Sequence, residues 1–170
     1  MYIELQNENL TISDSQMFGN LANTSGGFIY LSNLNHYTLF LNVEIANSVA
    51  DIGGGIYFEN NNDNCGMENT SVTRCVALAG GGGVFLGKSN DNFLIMKSII
   101  SHCSANLDGG GLWANSGNLN LKLIESNFVH NTALRYGGGL HSNYGQNFIS
   151  IAGTAFVNNS AGRFGGGLSL

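Results

Sequence analysis

Apolar positions along this chain recur with one long, fixed period. A triplet of glycines followed by an aliphatic residue begins at Gly53, Gly81, Gly109, Gly137 and Gly165, and the interval between successive triplets never changes. A related segment, Ser-Gly-Gly-Phe, begins at Ser25, one further interval upstream. A constant period of about 28 residues indicates a solenoid, in which each repeat packs only against its neighbours.

Each repeat contains three apolar segments. With the first glycine of a triplet as column 1, column 4 is apolar in every copy and holds Phe28, Ile56, Val84, Leu112, Leu140 and Leu168. Columns 13 and 15 are mostly apolar and have the spacing of a strand, and columns 20, 23 and 25 form the third segment. Polar stretches such as 59–64 predict turns between the first two segments. The pattern therefore predicts three short strands per repeat.

Short strands without any helical period predict an all-β, parallel β-helix with 28 residues per coil and about six coils. Equivalent residues of successive coils then stack at about 4.8 Å. We expect a single β-helix segment of a longer protein over residues 1–170. Its parts are a degenerate coil 1–24, regular coils 25–52, 53–80, 81–108, 109–136 and 137–164, and a partial coil 165–170. The first part fits the columns if its last loop is one residue shorter.

Column 23 predicts an inward structural ladder that contains Asn47, Cys75, Cys103, Asn131 and Asn159. Its asparagine amides would bond to the turn backbone, and the two thiols would be buried, with a disulfide between adjacent coils as the alternative. Cys65 falls in core column 13. Glu44 breaks column 20, which favours a local shift that turns Val43 and Ile45 inward.

Charge and hydropathy exclude several classes of function. The net charge is −5 and the pI is about 5.1, which argues against nucleic acid as a partner. No apolar run approaches the roughly 20 residues that span a bilayer. No pattern predicts a cofactor.

Column 5 is the predicted ligand or partner surface. It begins at Ile29 and continues through Tyr57, Phe85, Trp113 and His141, next to the inward column 4. Alternation along a strand points this row outward, where aromatic rings stack on sugars or on the apolar surface of a partner. The alternative is that the rings pack under a neighbouring segment or stiffen the coil by stacking.

The remaining candidates are weaker. Asp63 and Asp91 lie one coil apart and could bind Ca²⁺ or supply an acid and a base, but aspartate in a turn more often bonds to backbone. Arg74, His102 and His130 share column 22, where a solvated stripe is favoured over a metal site. Four sequons predict glycosylation if a eukaryote secretes the protein: Asn9, Asn23, Asn69 and Asn158.

The segments 128–131 and 156–159 are Phe-x-x-Asn motifs, each followed by Gly-Gly-Gly-Leu. This pairing resembles the repeat of the polymorphic outer-membrane-protein family, although the third residue is Gly instead of Ala, and Cys75 and Cys103 replace two asparagines. The resemblance implies a right-handed β-helix, motif residues without catalytic roles, and a surface-exposed or secreted protein with an adhesin-like or scaffolding role.

The leading hypothesis is a non-enzymatic structural or adhesin-like segment of a large extracellular or cell-surface protein. It would serve as a rigid spacer and interaction surface, with flanking coils, other chains or glycans as partners. The strict period supports this hypothesis because it leaves no long loop to wall a substrate cleft. The alternatives are a carbohydrate-binding or carbohydrate-active β-helix and a component of a fibrous multichain assembly.

Overall fold

The computed structural model describes residues 1–4, 6–145 and 148–170, and these residues form short strands and turns without a helix. In chain order the strands are β1 (Tyr2–Ile3), β2 (Thr11–Ser13), β3 (Gln16–Phe18), β4 (Ile29–Leu31), β5 (Leu39–Leu41), β6 (Glu44–Ala46), β7 (Val49–Ala50), β8 (Ile56–Phe58), β9 (Gly66–Glu68), β10 (Ser71–Thr73), β11 (Val76–Ala77), β12 (Val84–Leu86), β13 (Leu94–Met96), β14 (Ile99–Ser101), β15 (Ser104–Ala105), β16 (Leu112–Ala114), β17 (Leu121–Ile124), β18 (Asn127–Val129), β19 (Thr132–Ala133), β20 (Leu140–Ser142), β21 (Ile149–Ala152), β22 (Ala155–Val157), β23 (Ser160–Ala161) and β24 (Leu168–Ser169).

Each strand pairs in parallel with its copy in the next coil, which builds four sheets along the solenoid. Their orders are β1-β4-β8-β12-β16-β20-β24, β2-β5-β9-β13-β17-β21, β3-β6-β10-β14-β18-β22 and β7-β11-β15-β19-β23. Val84 pairs with Leu112 and Leu112 with Leu140, which reproduces the period of the glycine triplets in the register. The predicted parallel β-solenoid is confirmed.

A regular coil contains four strands, so the prediction of three was too low. The third apolar segment is divided between two sheets, as β10 and β11 illustrate. Column 22 lies between the two strands and has left-handed backbone, with φ of 51° at Arg74, 54° at His102 and 55° at His130. One residue in this conformation turns the chain, and the strand pattern cannot continue through it.

The second coil is one residue shorter than predicted. Ile29 pairs with Ile56, and Ala50 with Ala77, so each partner comes one position earlier than the period of the triplets requires. The coil therefore begins at Gly26, and Ile29 replaces Phe28 in column 4. The full period resumes at the triplets. Gly53 N–H donates to the carbonyl of Gly80, the residue before Gly81, and Gly81 N–H donates to the carbonyl of Asp108, the residue before Gly109. Gly53, Gly81 and Gly109 therefore occupy the same column. The missing residue thus belongs to the corner around Asp51, not to the loop before Ser25.

This shortened step explains Glu44. Ile45 pairs with Val72 in column 20, and both side chains are fully buried. Val43 is also buried, while Glu44 lies half-buried at the surface. The expected inward turn of Val43 and Ile45 is confirmed, and it follows from the missing residue.

The core is one continuous column of side chains inside the coils. Its fully buried large members are Phe40, Phe58, Phe93, Phe128, Ile29, Leu31, Ile45, Ile56, Met67, Leu86, Ile95 and Ile100. Burial of each such side chain contributes roughly 1.5–3 kcal/mol. The apolar core therefore supplies stability along the whole stack.

Polar side chains at the corners bond to the backbone of the adjacent coil. Asn131 Oδ1 accepts from Cys103 N–H at 3.0 Å, and Asn159 Oδ1 accepts from Asn131 N–H at 2.9 Å. Asn47, however, does not belong to this ladder, because the shortened step places it at the exposed left-handed position. The buried residue there is Ser48.

Two further ladders were not predicted from the sequence. In column 10, Asn35 N–H donates to Asn62 Oδ1 at 2.8 Å, and Asn62 N–H to Asn90 Oδ1 at 2.9 Å. In column 18, Ser98 N–H donates to Ser126 Oγ at 3.1 Å. Repeated asparagine in column 10 was the signal that could have revealed the first ladder.

The three cysteines are buried free thiols, as the favoured interpretation expected. Burial raises the pKa of the Cys65 thiol to about 11. Burial likewise raises the pKa of Cys103 well above its usual value. These shifts keep the thiols of Cys65 and Cys103 protonated and unreactive at neutral pH, whereas the hydrogen bond with Cys103 lowers the pKa of Cys75.

Candidate functional site

The predicted surface row exists, with Ile29 replaced by Tyr30 and with Tyr2 added. The pairing register places six rings in column 5, those of Tyr2, Tyr30, Tyr57, Phe85, Trp113 and His141, and Ser169 follows them. Ile29 is not in this row but fully buried in column 4. Tyr30 was missed because a constant period assigns its place to Ile29, whereas this coil is one residue short.

The first four rings, Tyr2, Tyr30, Tyr57 and Phe85, form what we name the stacked segment. Successive ring centroids are 5.4, 5.0 and 4.9 Å apart, with interplanar angles of 17°, 11° and 9°. Each inner ring is covered on both faces by its neighbours, which leaves edges rather than faces toward solvent. This geometry favours the interpretation that these rings stiffen the coil.

Three rings of the stacked segment, Tyr30, Tyr57 and Phe85, are also partly or fully shielded from water, whereas Tyr2 at its end is 64% exposed. Burial raises the pKa of Tyr30 and of Tyr57, and the Glu59 carboxylate raises both further. Phe85 is only 5% exposed. From Tyr30 to Phe85, partly buried and closely stacked rings leave little surface for a ligand.

The stack ends at Trp113. Its ring stands at 86° to that of Phe85, with centroids 5.2 Å apart. The indole lies across Gly80, the residue before a glycine triplet, and a Cβ there would be 2.0 Å from Trp113 Cε3. One coil earlier, Ile52 occupies the equivalent position and carries a side chain. Gly80 therefore provides the space into which the indole turns.

A cleft of about 760 Å³ lies beside Trp113. Its walls come from the corners before β16 and β20, from these two strands and from the turn after β20, and they include Asp108, Trp113, Arg135, Tyr136, His141 and Asn143. Leu170 and Ile149 also line it. The volume is within the range of ligand sites, roughly 300–1,000 Å³. Trp113 and His141 were predicted site residues, whereas the others were not.

An ion pair forms one corner of the cleft. Arg135 donates from Nε and Nη2 to the two carboxylate oxygens of Asp108, at 3.2 and 2.6 Å. Tyr136 N–H donates to the same carboxylate at 3.2 Å. The Asp108 side chain is 3% exposed and the Arg135 side chain 41%. The carboxylate is thus fixed, and it raises the pKa of Arg135.

His141 connects the aromatic rings of the cleft. It is 8% exposed, with centroid distances of 6.1 Å to Trp113 and 5.7 Å to Tyr136. Its Nε2 is 2.9 Å from Asn143 Oδ1. Within the described part of the chain, His141 Nδ1 and Trp113 Nε1 are buried without a hydrogen-bond partner. Thr38 Oγ1, Ser48 Oγ and Asn62 Nδ2, in earlier coils, are buried in the same way. Such atoms cost stability, and two of these five belong to side chains that line the cleft.

The acidic candidates have a structural role. Asp63 Oδ1 accepts from Asp91 N–H at 3.0 Å, and Asp91 Oδ1 accepts from Leu119 N–H at 2.9 Å. They stack as predicted, but each carboxylate is bonded to backbone of the next coil. Among the described residues, no three His, Cys, Asp or Glu side chains lie close enough to hold a metal ion.

The other surface candidates lie apart from the cleft. His102 and His130 stack with centroids 5.1 Å apart at an exposed corner. The four sequon asparagines, Asn9, Asn23, Asn69 and Asn158, are all exposed. Their glycosylation stays a prediction.

Comparisons with protein-family models, curated proteins and solved structures found no match to this chain. The resemblance to the polymorphic outer-membrane-protein repeat therefore stays a prediction. In the ranges that the structure describes, no helix is long and apolar enough to cross a membrane.

Proposed function

We propose that this chain is a rigid, non-enzymatic β-solenoid segment of a surface or secreted protein, which acts as a spacer and presents an interaction surface. The observation that carries this proposal is the coil-to-coil pairing of the first sheet, which runs without interruption from Tyr2 to Ser169. A repeat stack of this kind transmits position along its axis, because each coil is fixed by its neighbours.

Three kinds of ladder support rigidity. Backbone pairing, buried asparagine and serine side chains, and the stacked segment each join one coil to the next. These contacts lie on different sides of the coil. Bending the stack would therefore strain several of them together.

Exposed apolar side chains support an interaction surface on the side of the cleft. They occupy corners just before the glycine triplets and include Leu78 at 56%, Leu134 at 60% and Phe164 at 70% exposure. Exposed apolar groups that cluster near a cleft are typical of partner surfaces. A partner that covers this side would bury them.

The acid pair supports a role without catalysis. Asp63 and Asp91 each accept a hydrogen bond from a backbone N–H of the next coil, so both carboxylates take part in joining the coils. Asp91 lies beside turns of uniform length rather than beside a long loop.

Beads that carry the 170-residue chain should adhere to cultured cells or to immobilised matrix glycoproteins. Adhesion should fall with the double change Leu134→Ser and Phe164→Ser, while the exposed Lys122→Ser serves as the matched control on another face. Equal adhesion by all three proteins, or none by the unchanged chain, would contradict the interaction surface. Polysaccharide turnover that is abolished by Asp91→Ala would overturn the non-enzymatic role.

A further inference from the structure

We propose that the cleft beside Trp113 binds a neutral sugar ring. This inference rests on the proposed function, because it names the ligand class of that interaction surface. Four features of the described residues support it: an aromatic wall, polar atoms without partners, a neutralised charge and a suitable volume.

The aromatic wall is formed by Trp113 and Tyr136. Trp113 has left the ring stack, so no parallel ring of its own column covers it, and one side of the indole lies on Gly80. Tyr136 stacks on Phe164 at 5.8 Å. Aromatic walls of this kind pack against the apolar C–H faces of sugar rings, while the polar hydroxyl groups at the ring edge remain free to form hydrogen bonds.

The polar atoms match hydroxyl groups. Because Asn143 Oδ1 accepts from His141 Nε2, we assign the proton to Nε2, and Nδ1 is then an acceptor. Trp113 Nε1 is a donor, and both atoms lack partners among the described residues. A hydroxyl donates and accepts at once, so it satisfies both atoms when the rings shift to admit it.

The charge balance favours a neutral ligand. The Asp108 carboxylate takes two of the five N–H donors of Arg135 and neutralises its charge, while the remaining donors can serve a hydroxyl. The chain as a whole carries a net charge of −5. An acidic sugar or a phosphate would therefore meet no net attraction.

The volume fits a small saccharide. A cleft of about 760 Å³ is large enough for a ligand of one or two sugar rings. It is open at the surface, where Tyr144 at its edge is 91% exposed. A disaccharide at the end of a glycan could therefore reach the cleft from solvent, and only the rings need to shift to admit it.

The test uses Trp113, the single tryptophan of the chain, as the reporter. Cellobiose, lactose and N,N′-diacetylchitobiose are titrated while tryptophan fluorescence is recorded, and binding is confirmed by saturation-transfer NMR. We expect at least one of them to saturate with a dissociation constant on the order of 1 mM. Tyr136→Leu should weaken that binding at least about tenfold.

Tyr57→Leu is the matched control, because it removes a ring of the stacked segment outside the cleft and should leave the affinity unchanged. Far-ultraviolet circular dichroism establishes that both variants are folded. The inference is overturned if no neutral disaccharide saturates by either method, if both variants lose affinity equally, or if glucuronic acid binds more tightly. Adhesion without saccharide binding would reject this inference alone, whereas loss of both would also reject the proposed function.

Discussion

The stacked segment and the cleft are two parts of the same column of the same sheet. Tyr57 and Phe85 are parallel at 9°, whereas Phe85 and Trp113 are perpendicular at 86°. The difference originates beside the rings, where Ile52 precedes one glycine triplet and Gly80 the next. Two changes therefore turn a coil with stacked rings into a coil with a recess. Gly80 lacks the side chain that Ile52 has at the equivalent position, and Trp113 brings a larger ring than Phe85.

The stacked segment and the cleft have the same asparagine ladder and the same buried core beneath them. The buried asparagine ladder of column 10 continues from Asn35 to Asn118 past the position where the stack breaks. The core is fully buried on both sides of the break, as Phe58 and Phe128 illustrate. The comparison therefore predicts that the two parts differ in surface chemistry and not in core packing.

Removal of a core ring should have the largest effect, and an equal one in both parts. Phe58→Ala, in the coil of Tyr57, and Phe128→Ala, in the coil of Trp113, should each lower the free energy of unfolding by about 3–5 kcal/mol, because both rings are fully buried. Urea denaturation measures the loss. Phe164→Ala, at 70% exposure, should change it by no more than about 0.5 kcal/mol. A much smaller loss at Phe128 would show a looser core in the coil of Trp113.

Loss of the ion pair should affect the cleft next most strongly. Arg135→Ala leaves the buried Asp108 carboxylate with one backbone N–H as its partner, and we expect a loss of about 1–3 kcal/mol in urea denaturation. Lys122→Ala removes an exposed cation outside the cleft and provides the comparison. If the two changes cost the same, the ion pair does not organise the corner.

A methyl group at Gly80 should displace the indole of Trp113, whose orientation distinguishes the cleft from the stacked segment. Gly80→Ala places a Cβ at 2.0 Å from Trp113 Cε3, so the indole must move toward solvent and its fluorescence emission should shift to the red. We expect a cost of about 1–3 kcal/mol from overpacking. Ile52→Ala, at the equivalent position of the stacked segment, should leave the emission unchanged. An unaltered spectrum for Gly80→Ala would refute the role of this glycine.

The smallest expected effect is a change in the pKa of Tyr30 in the stacked segment. The hydrogen bond and the negative charge of Glu59 both raise the pKa of Tyr30, and Glu59→Gln removes the charge while keeping an oxygen that can accept. The pKa should fall but stay above its usual value, because burial is the larger cause. Ultraviolet titration of tyrosinate measures the shift. A pKa that does not move would show that Glu59 and Tyr30 do not interact in solution.

The period and the alternation of apolar residues were enough to predict the solenoid, its parallel pairing and most of column 5. They failed where one residue is missing, since the shortened step near Asp51 moved Tyr30, Ser48 and Ile45 into columns assigned to their neighbours. The sequence of a glycine-rich segment does not reveal whether the coil that follows it is complete or one residue shorter. Only the pairing of strands could therefore locate the missing residue. The fourth strand was missed because left-handed corners occur at Arg74 and His102, which are not turn residues by composition.

By itself the sequence determined the repeat, the core columns and the row of rings, because these depend on side-chain type at a fixed spacing. Only the tertiary structure decided which rings stack and which one turns aside, since that depends on the space that Gly80 leaves in the neighbouring coil. It also decided that Asp108 and Arg135, which belong to successive coils, form a pair beside Tyr136 and His141. Contacts between coils join residues that no local pattern connects, which is why the cleft could not be foreseen.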